Sequence, residues 1–183
     1  MLIKMIFAGS GGQGVLTAGN ILGNAAMIDD YHVTYLPSYG AAMRGGTANC
    51  TICISDEEIA SPVASSPDFV VSLNKPSTVK FANRLESGGQ LIYNSSLIDT
   101  FPYRGDIDLY PVPANAIAAS LGNERSANMV ALGAFIKIVR VIKLETVEKS
   151  IAQLMGSKAK LVETSSTALR AGFDGFPFSN GQA

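Results

Sequence analysis

The sequence predicts a three-layer α/β/α domain built on a mostly parallel sheet. Two observations carry that prediction. Short β-branched apolar runs alternate with segments of helical period. A glycine-rich turn stands directly between the first such run and the first helix. The 183 residues suit one domain with a sizeable core, and no internal repeat or linker divides them.

In chain order, Leu2–Ala8 reads as a strand, and after Gly9–Gly14 a helix runs over Val15–Met27, with Val15, Leu16, Ile21 and Leu22 on its apolar side. His32–Leu36 is a second strand, Pro37–Gly46 a loop with one helical turn at Ala41–Arg44, and Thr47–Ser55 a third strand. Asp68–Leu73 is a fourth strand, followed by a helix over Ser77–Leu85 capped by Ser77. Gly89–Asn94 and Asp108–Val112 are the fifth and sixth strands. The rest is helical: Ala114–Leu121, then Ala127–Ile142 with Ser126 as its N-cap, then Leu144–Met155 and Lys158–Ala171. Apolar residues surround most of the Ala127–Ile142 helix, so it packs on more than one side, within the domain or against another subunit. The domain is expected to span residues 1–172. Residues 173–183 are read as a Gly/Pro/aromatic tail that is either disordered or laid over a partner.

Composition narrows the function. Charged residues make up 16% and hydrophobic residues 47%, against about a quarter charged in an average domain. With a mean hydropathy of +0.23, the chain has strands buried on both faces, or apolar surface that a partner covers, or both. A net charge of −1 and the absence of a basic block argue against nucleic acid as a partner. No apolar run is long enough to span a bilayer. The apolar start is short, broken by Lys4, and runs into a glycine turn, so it reads as a buried strand and not as a signal peptide. The expected location is the cytoplasm. Cys50 and Cys53 have C-x-x-C spacing, but they lie in a strand-like segment. Residues three apart on a strand face opposite ways, so the two sulfurs do not converge.

The first turn is Gly9-Ser10-Gly11-Gly12-Gln13-Gly14. Glycines permit a tight turn and close approach of a ligand to the backbone. The first helical amides lack intrahelical acceptors, and the positive end of the helix dipole lies behind them, so an anion such as phosphate fits there. A dinucleotide site would want a carboxylate at the end of the second strand. That strand ends at Leu36-Pro37-Ser38, with Asp29 and Asp30 at its other end. No Gly-Lys-Ser/Thr follows for a nucleoside-triphosphate loop. The competing reading is a strand-to-helix turn that binds nothing.

The second unusual stretch is Pro37-Ser38-Tyr39-Gly40-Ala41-Ala42-Met43-Arg44-Gly45-Gly46-Thr47. In a parallel sheet it begins at the same edge as the first turn. Arg44 offers a guanidinium suited to carboxylate or phosphate, and Gly45-Gly46 a bend into the third strand. Together, GSGGQGVLTAGNIL and LPSYGAAMRGGTANCTICISDEEIASP resemble the gamma subunit of 2-oxoacid:ferredoxin oxidoreductases, equivalent to domain III of single-chain pyruvate:ferredoxin oxidoreductases. The resemblance continues through PDFVVSLN and GGQLIYNSSLI into the C-terminal helices, and is nearest the 2-oxoglutarate and branched-chain types.

That resemblance implies oxidative decarboxylation of a 2-oxoacid, 2-oxoglutarate being favoured, on thiamine diphosphate. Electrons would pass through [4Fe-4S] clusters to ferredoxin, and coenzyme A would take the acyl group. It implies alpha and beta partner subunits holding thiamine diphosphate, Mg²⁺ and clusters, often with a ferredoxin-like delta subunit. The gamma-type chain is not active alone and has no catalytic residue or metal of its own. It supports coenzyme A binding and active-site closure. The expected contacts are Gly9, Gly11, Gly12, Gln13 and Gly14, bordered by Tyr39, Arg44, Gly45 and Gly46. What the residues lack agrees with this. Gly172-Phe173-Asp174-Gly175 has no following element to make a thiamine motif, and two cysteines cannot ligate a four-thiolate cluster. His32 has no nucleophile beside it, and Asp56-Glu57-Glu58 reads as a solvated turn. Two other readings remain: a stand-alone nucleotide- or anion-binding module, and an indolepyruvate-type oxidoreductase subunit.

Overall fold

A computed structural model describes residues 1–40 and 46–177. The helical turn expected at Ala41–Arg44 lies outside the described residues, as do Arg44 and Gly45. The chain runs β1 (Leu2–Ser10), α1 (Val15–Ile28), β2 (His32–Tyr39), β3 (Thr47–Ser55), β4 (Phe69–Ser72), α2 (Lys75–Ala82), β5 (Gln90–Asn94), β6 (Asp108–Val112) and α3 (Ala114–Ser120). A single 3₁₀ turn at Glu124–Ser126 leads into α4 (Ala127–Val139), α5 (Leu144–Met155) and α6 (Ala159–Gly175).

The six strands form one mixed sheet in the order β2-β3-β1-β4-β5-β6. β1, β4, β5 and β6 are parallel neighbours, whereas β3 pairs antiparallel with both β1 and β2. Only the seven residues 40–46 separate β2 from β3, too few for the crossover that a parallel neighbour would need. The chain turns back as a hairpin instead. β2 thus points the same way as β1, and its end reaches the same edge of the sheet. Each outer strand contains a proline, Pro37 in β2 and Pro111 in β6, while the four inner strands have none.

The two faces are covered unequally. Met5, Phe7, Cys50, Ile52, Val71 and Ile92 point into a core shared with α1, α3, α4, α5 and α6. On the other face, α2 and the turn after it set Phe81, Ala82 and Leu85 against Ile6, Ala8, Val70 and Leu91. β1 is thus buried on both sides from Met5 to Ala8, which explains its apolar run after Lys4. α4 is buried all round from Ala127 to Ile136, as its apolar circumference requires. Phe135 meets Phe7 and Phe69 edge-on, with centroids 5.3 and 5.7 Å away. Its other side lies against α6, where Gly133 and Gly172 let the two backbones touch.

Several local expectations change. α2 begins two residues earlier than predicted, because Asn74 caps it by accepting from the Ser77 amide at 3.0 Å and Pro76 suits its first turn. The hydroxyl of Ser126 does not cap α4 but donates to the Asn123 carbonyl at 2.6 Å. α4 ends at Val139 because Arg140 adopts a left-handed conformation, φ 56°. α6 runs on through Gly175, past the expected end of the domain at 172, since Phe173 and Phe176 pack against the core.

Candidate functional site

α1 and α2 leave β1 and β4 toward opposite faces of the sheet. The carboxyl ends of these two adjacent strands therefore frame the crevice where open α/β sheets bind ligands. The glycine turn forms one wall. Gly12 and Gly14 have φ of 95° and 72°, conformations that favour glycine. The Gly11 amide donates to the Gly46 carbonyl at 2.8 Å, so the two glycine stretches meet directly. Gly40 donates to the Thr47 carbonyl at 2.8 Å and closes the hairpin beside them. Tyr39, at the end of β2, is 73% exposed on the same edge.

Gln13 holds this turn in shape. Its Oε1 accepts from the Ser10 amide at 2.7 Å, and its Nε2 donates to the Leu73 carbonyl at 3.1 Å. A Cβ at Gly9 would stand 2.7 Å from that Oε1, so Gly9 is small to make room for Gln13. Gly14 has the same relation to Asn128, whose Nδ2 donates to the Gly14 carbonyl at 3.0 Å. Asn74 Nδ2 donates to Ser10 Oγ at 2.5 Å and couples the cap of α2 to the turn. Gly9, Gln13 and Gly14 thus shape the rim.

The rim itself is backbone. Among the described residues, the amides of Gly12, Gly14, Val15, Leu16 and Thr17 have no acceptor. No acidic side chain lies in the first turn of α1 or of α4, whose start adjoins the same crevice. Unpaired donors, reinforced by the helix dipole, suit an anion. Beside the rim is a cavity of about 230 Å³ lined by Gly12, Gln13, Leu73, Asn94, Asn115, Glu124, Arg125 and Ala127. Asn94, Asn115 and Arg125 escaped the sequence reading. Asn94 alone carried a signal, as the last residue of a predicted strand at the edge where ligands bind.

Cys50 and Cys53 are free, buried and not bridged. Burial pushes the Cys50 thiol up to about 12. A thiol reagent at about pH 8 should find neither sulfur in the native chain and both in denaturant. Rapid labelling of the native chain would contradict the burial of both side chains. Among the described residues, no three of His, Cys, Asp or Glu converge to hold a metal, and no helix is long and apolar enough to cross a membrane.

Comparison with known proteins adds to this geometry. The family model of pyruvate ferredoxin/flavodoxin oxidoreductase matches residues 4–175. Ketoisovalerate oxidoreductase subunit VorA of Methanothermobacter marburgensis is 34% identical over 173 residues, covering 94% of this chain and 36% of VorA. The chain thus spans about a third of that relative's length. 2-Oxoglutarate synthase subunit KorC of the same organism is 34% identical over 151 residues, covering 79% of this chain and 81% of KorC. The solved gamma subunit of a keto/oxoacid ferredoxin oxidoreductase from Geobacter sulfurreducens PCA superposes with a TM-score of 0.79 at 30% identity. That match covers 94% of this chain and 96% of the other.

Proposed function

The chain belongs to the pyruvate ferredoxin/flavodoxin oxidoreductase family, and from that premise we propose that it is the gamma-type subunit of a multi-subunit 2-oxoacid:ferredoxin oxidoreductase. In this reading it presents coenzyme A to an active site held by alpha and beta subunits, with a ferredoxin-like delta subunit as a further partner. The observation that carries the reading is the junction of Gly11 with Gly46. It brings the two glycine stretches into one rim of unpaired amides at the sheet's carboxyl edge.

The amides of Gly12, Gly14 and Val15 hold a phosphate of coenzyme A, and Gln13 keeps them pointed outward. Tyr39 borders the rim, and Arg44, outside the described residues, follows it in sequence. Thiamine diphosphate, Mg²⁺ and [4Fe-4S] clusters do not fit the described residues, since the two cysteines are separate and buried and no acidic group converges. We therefore assign those groups to the partner chains, and no chemical step to this one. As substrate we favour 2-oxoglutarate, because the match to KorC covers about four-fifths of both chains.

The test is to co-express the chain with its genomic neighbours and measure coenzyme A-dependent ferredoxin reduction on 2-oxoglutarate, pyruvate, 2-oxoisovalerate and indolepyruvate. Activity is expected only when this chain is present, and to be highest on 2-oxoglutarate. Full activity without the chain would refute the subunit assignment. A different best substrate would refute only the substrate choice.

A further inference from the structure

A second cavity lies at the far end of α4 from the glycine turn. α4 starts beside that turn and runs for 13 residues, so its end stands about 20 Å away. The cavity holds about 360 Å³, enough for a small organic molecule. Its apolar lining is Ile136, Ile142 and Leu144, all buried, with half-buried Phe173. The polar lining is mostly basic: Lys137, Arg140 and Lys143. None of these three is in an ion pair among the described residues. Lys137 Nζ rests over the Phe173 ring, 4.5 Å from its centroid, which keeps a charge against the apolar wall. Arg140 uses one of its five N–H groups on the Lys137 carbonyl, at a long 3.4 Å.

Two further features set the character of this cavity. α4 ends and α5 begins here, so two helix dipoles of opposite sign meet and the side chains decide the sign of the field. Glu145 also lines the cavity, and the three cations outnumber it. Arg140, moreover, does not suit its own backbone. It closes α4 with φ 56° and ψ 20°, the left-handed conformation in which helix ends favour glycine. A residue with a Cβ is strained there. The position thus carries a guanidinium at a cost in stability, and the guanidinium lines this cavity.

We infer that this cavity binds a small organic carboxylate, a single anionic head on a branched or aromatic apolar body. The head pairs with the Lys137, Arg140 and Lys143 cations, and the body packs on Phe173, Ile142 and Leu144. Glu145 repels dense negative charge, so one carboxylate suits the cavity better than a nucleotide or a run of acidic residues. The site is separate from the glycine turn and does not rest on the reading of coenzyme A.

The test is a ¹⁵N titration of the full-length chain with phenylacetate, phenylacetamide and acetate. The first has both head and body, and each of the others has one of them. Phenylacetate is expected to shift the backbone amides of Arg140, Lys143, Leu144 and Phe173 and to leave Gly12 and Gly14 in place. Acetate and phenylacetamide should each bind about tenfold more weakly, or worse. Arg140→Gly should weaken phenylacetate about tenfold without lowering the melting temperature, since glycine relieves the left-handed strain. Lys143→Gln, at an exposed position, should weaken it likewise with an unchanged melt. Silence at the four amides, equal binding of phenylacetamide or acetate, or wild-type affinity in both variants would overturn the proposal. Shifts at Gly12 and Gly14 in place of the four would move the anion to the turn and overturn it as well.

Discussion

Gly172→Ala is expected to lower the melting temperature by about 10 °C, the equivalent of roughly 3 kcal/mol in a chain of this size. At Gly172 an added Cβ would fall inside the Val130 carbonyl oxygen and 2.7 Å from its carbon. At Gly133 it would overlap the Leu169 carbonyl oxygen and lie 2.8 Å from the Phe173 amide nitrogen. These obstacles are backbone atoms of a facing helix, so no side-chain rotation relieves them. The ordinary effect of alanine in a helix has the opposite sign, a gain of about 1 kcal/mol over glycine. A measured loss therefore isolates the clash. Gly133→Ala should behave alike, while Gly105→Ala, where a Cβ meets nothing, should stay within about 0.5 kcal/mol of wild type. Urea unfolding followed by circular dichroism measures all three. Wild-type midpoints for G133A and G172A would mean that α4 and α6 do not touch.

The second large effect concerns the rim. Gly12→Val in the assembled complex is expected to raise the KM for coenzyme A by about tenfold to a hundredfold. The fold itself should remain. Gly12 has φ 95°, and a Cβ there would meet nothing within 4 Å, so the penalty is local to the turn. Reorienting the turn removes one or two charge-assisted hydrogen bonds to the phosphate. A β-branched side chain also tolerates that φ poorly. Steady-state kinetics and a thermal melt on the same preparation separate the two effects. An unchanged KM with an unchanged melt would remove the phosphate role of the turn.

Much of this architecture was legible in the sequence because the local signals agree with one another. The turn between Leu2–Ala8 and Val15–Met27 had to be tight and glycine-bearing, and Thr47–Ser55 is a strand with the bounds its β-branched run suggests. The reversal of β3 was legible in the short loop read between β2 and β3, which is too brief for a crossover, but the alternation of strands and helices alone suggested a parallel sheet. Ser77 was taken for a cap although Asn74-Lys75-Pro76 carries the stronger signature, an Asx residue followed by proline in the first turn. Gly172 reads in the sequence only as the last residue before an expected tail. Its purpose shows only when Val130, 42 positions earlier, is seen lying against it. Asn94 and Asn115 come together from β5 and α3 with no shared motif. One sequence therefore gives no spacing by which to pair them, whereas the glycine turn announces itself in six consecutive residues.

The prolines in β2 and β6 bear on how such a chain joins others. A strand can be extended sideways only by offering a row of free N–H and C=O groups, and proline interrupts the N–H half of that row. With one interruption on each margin, the sheet resists growing past six strands. A contact made through side chains or loop ends is not hindered in this way, and the carboxyl edge with its amide rim lies clear of both margins.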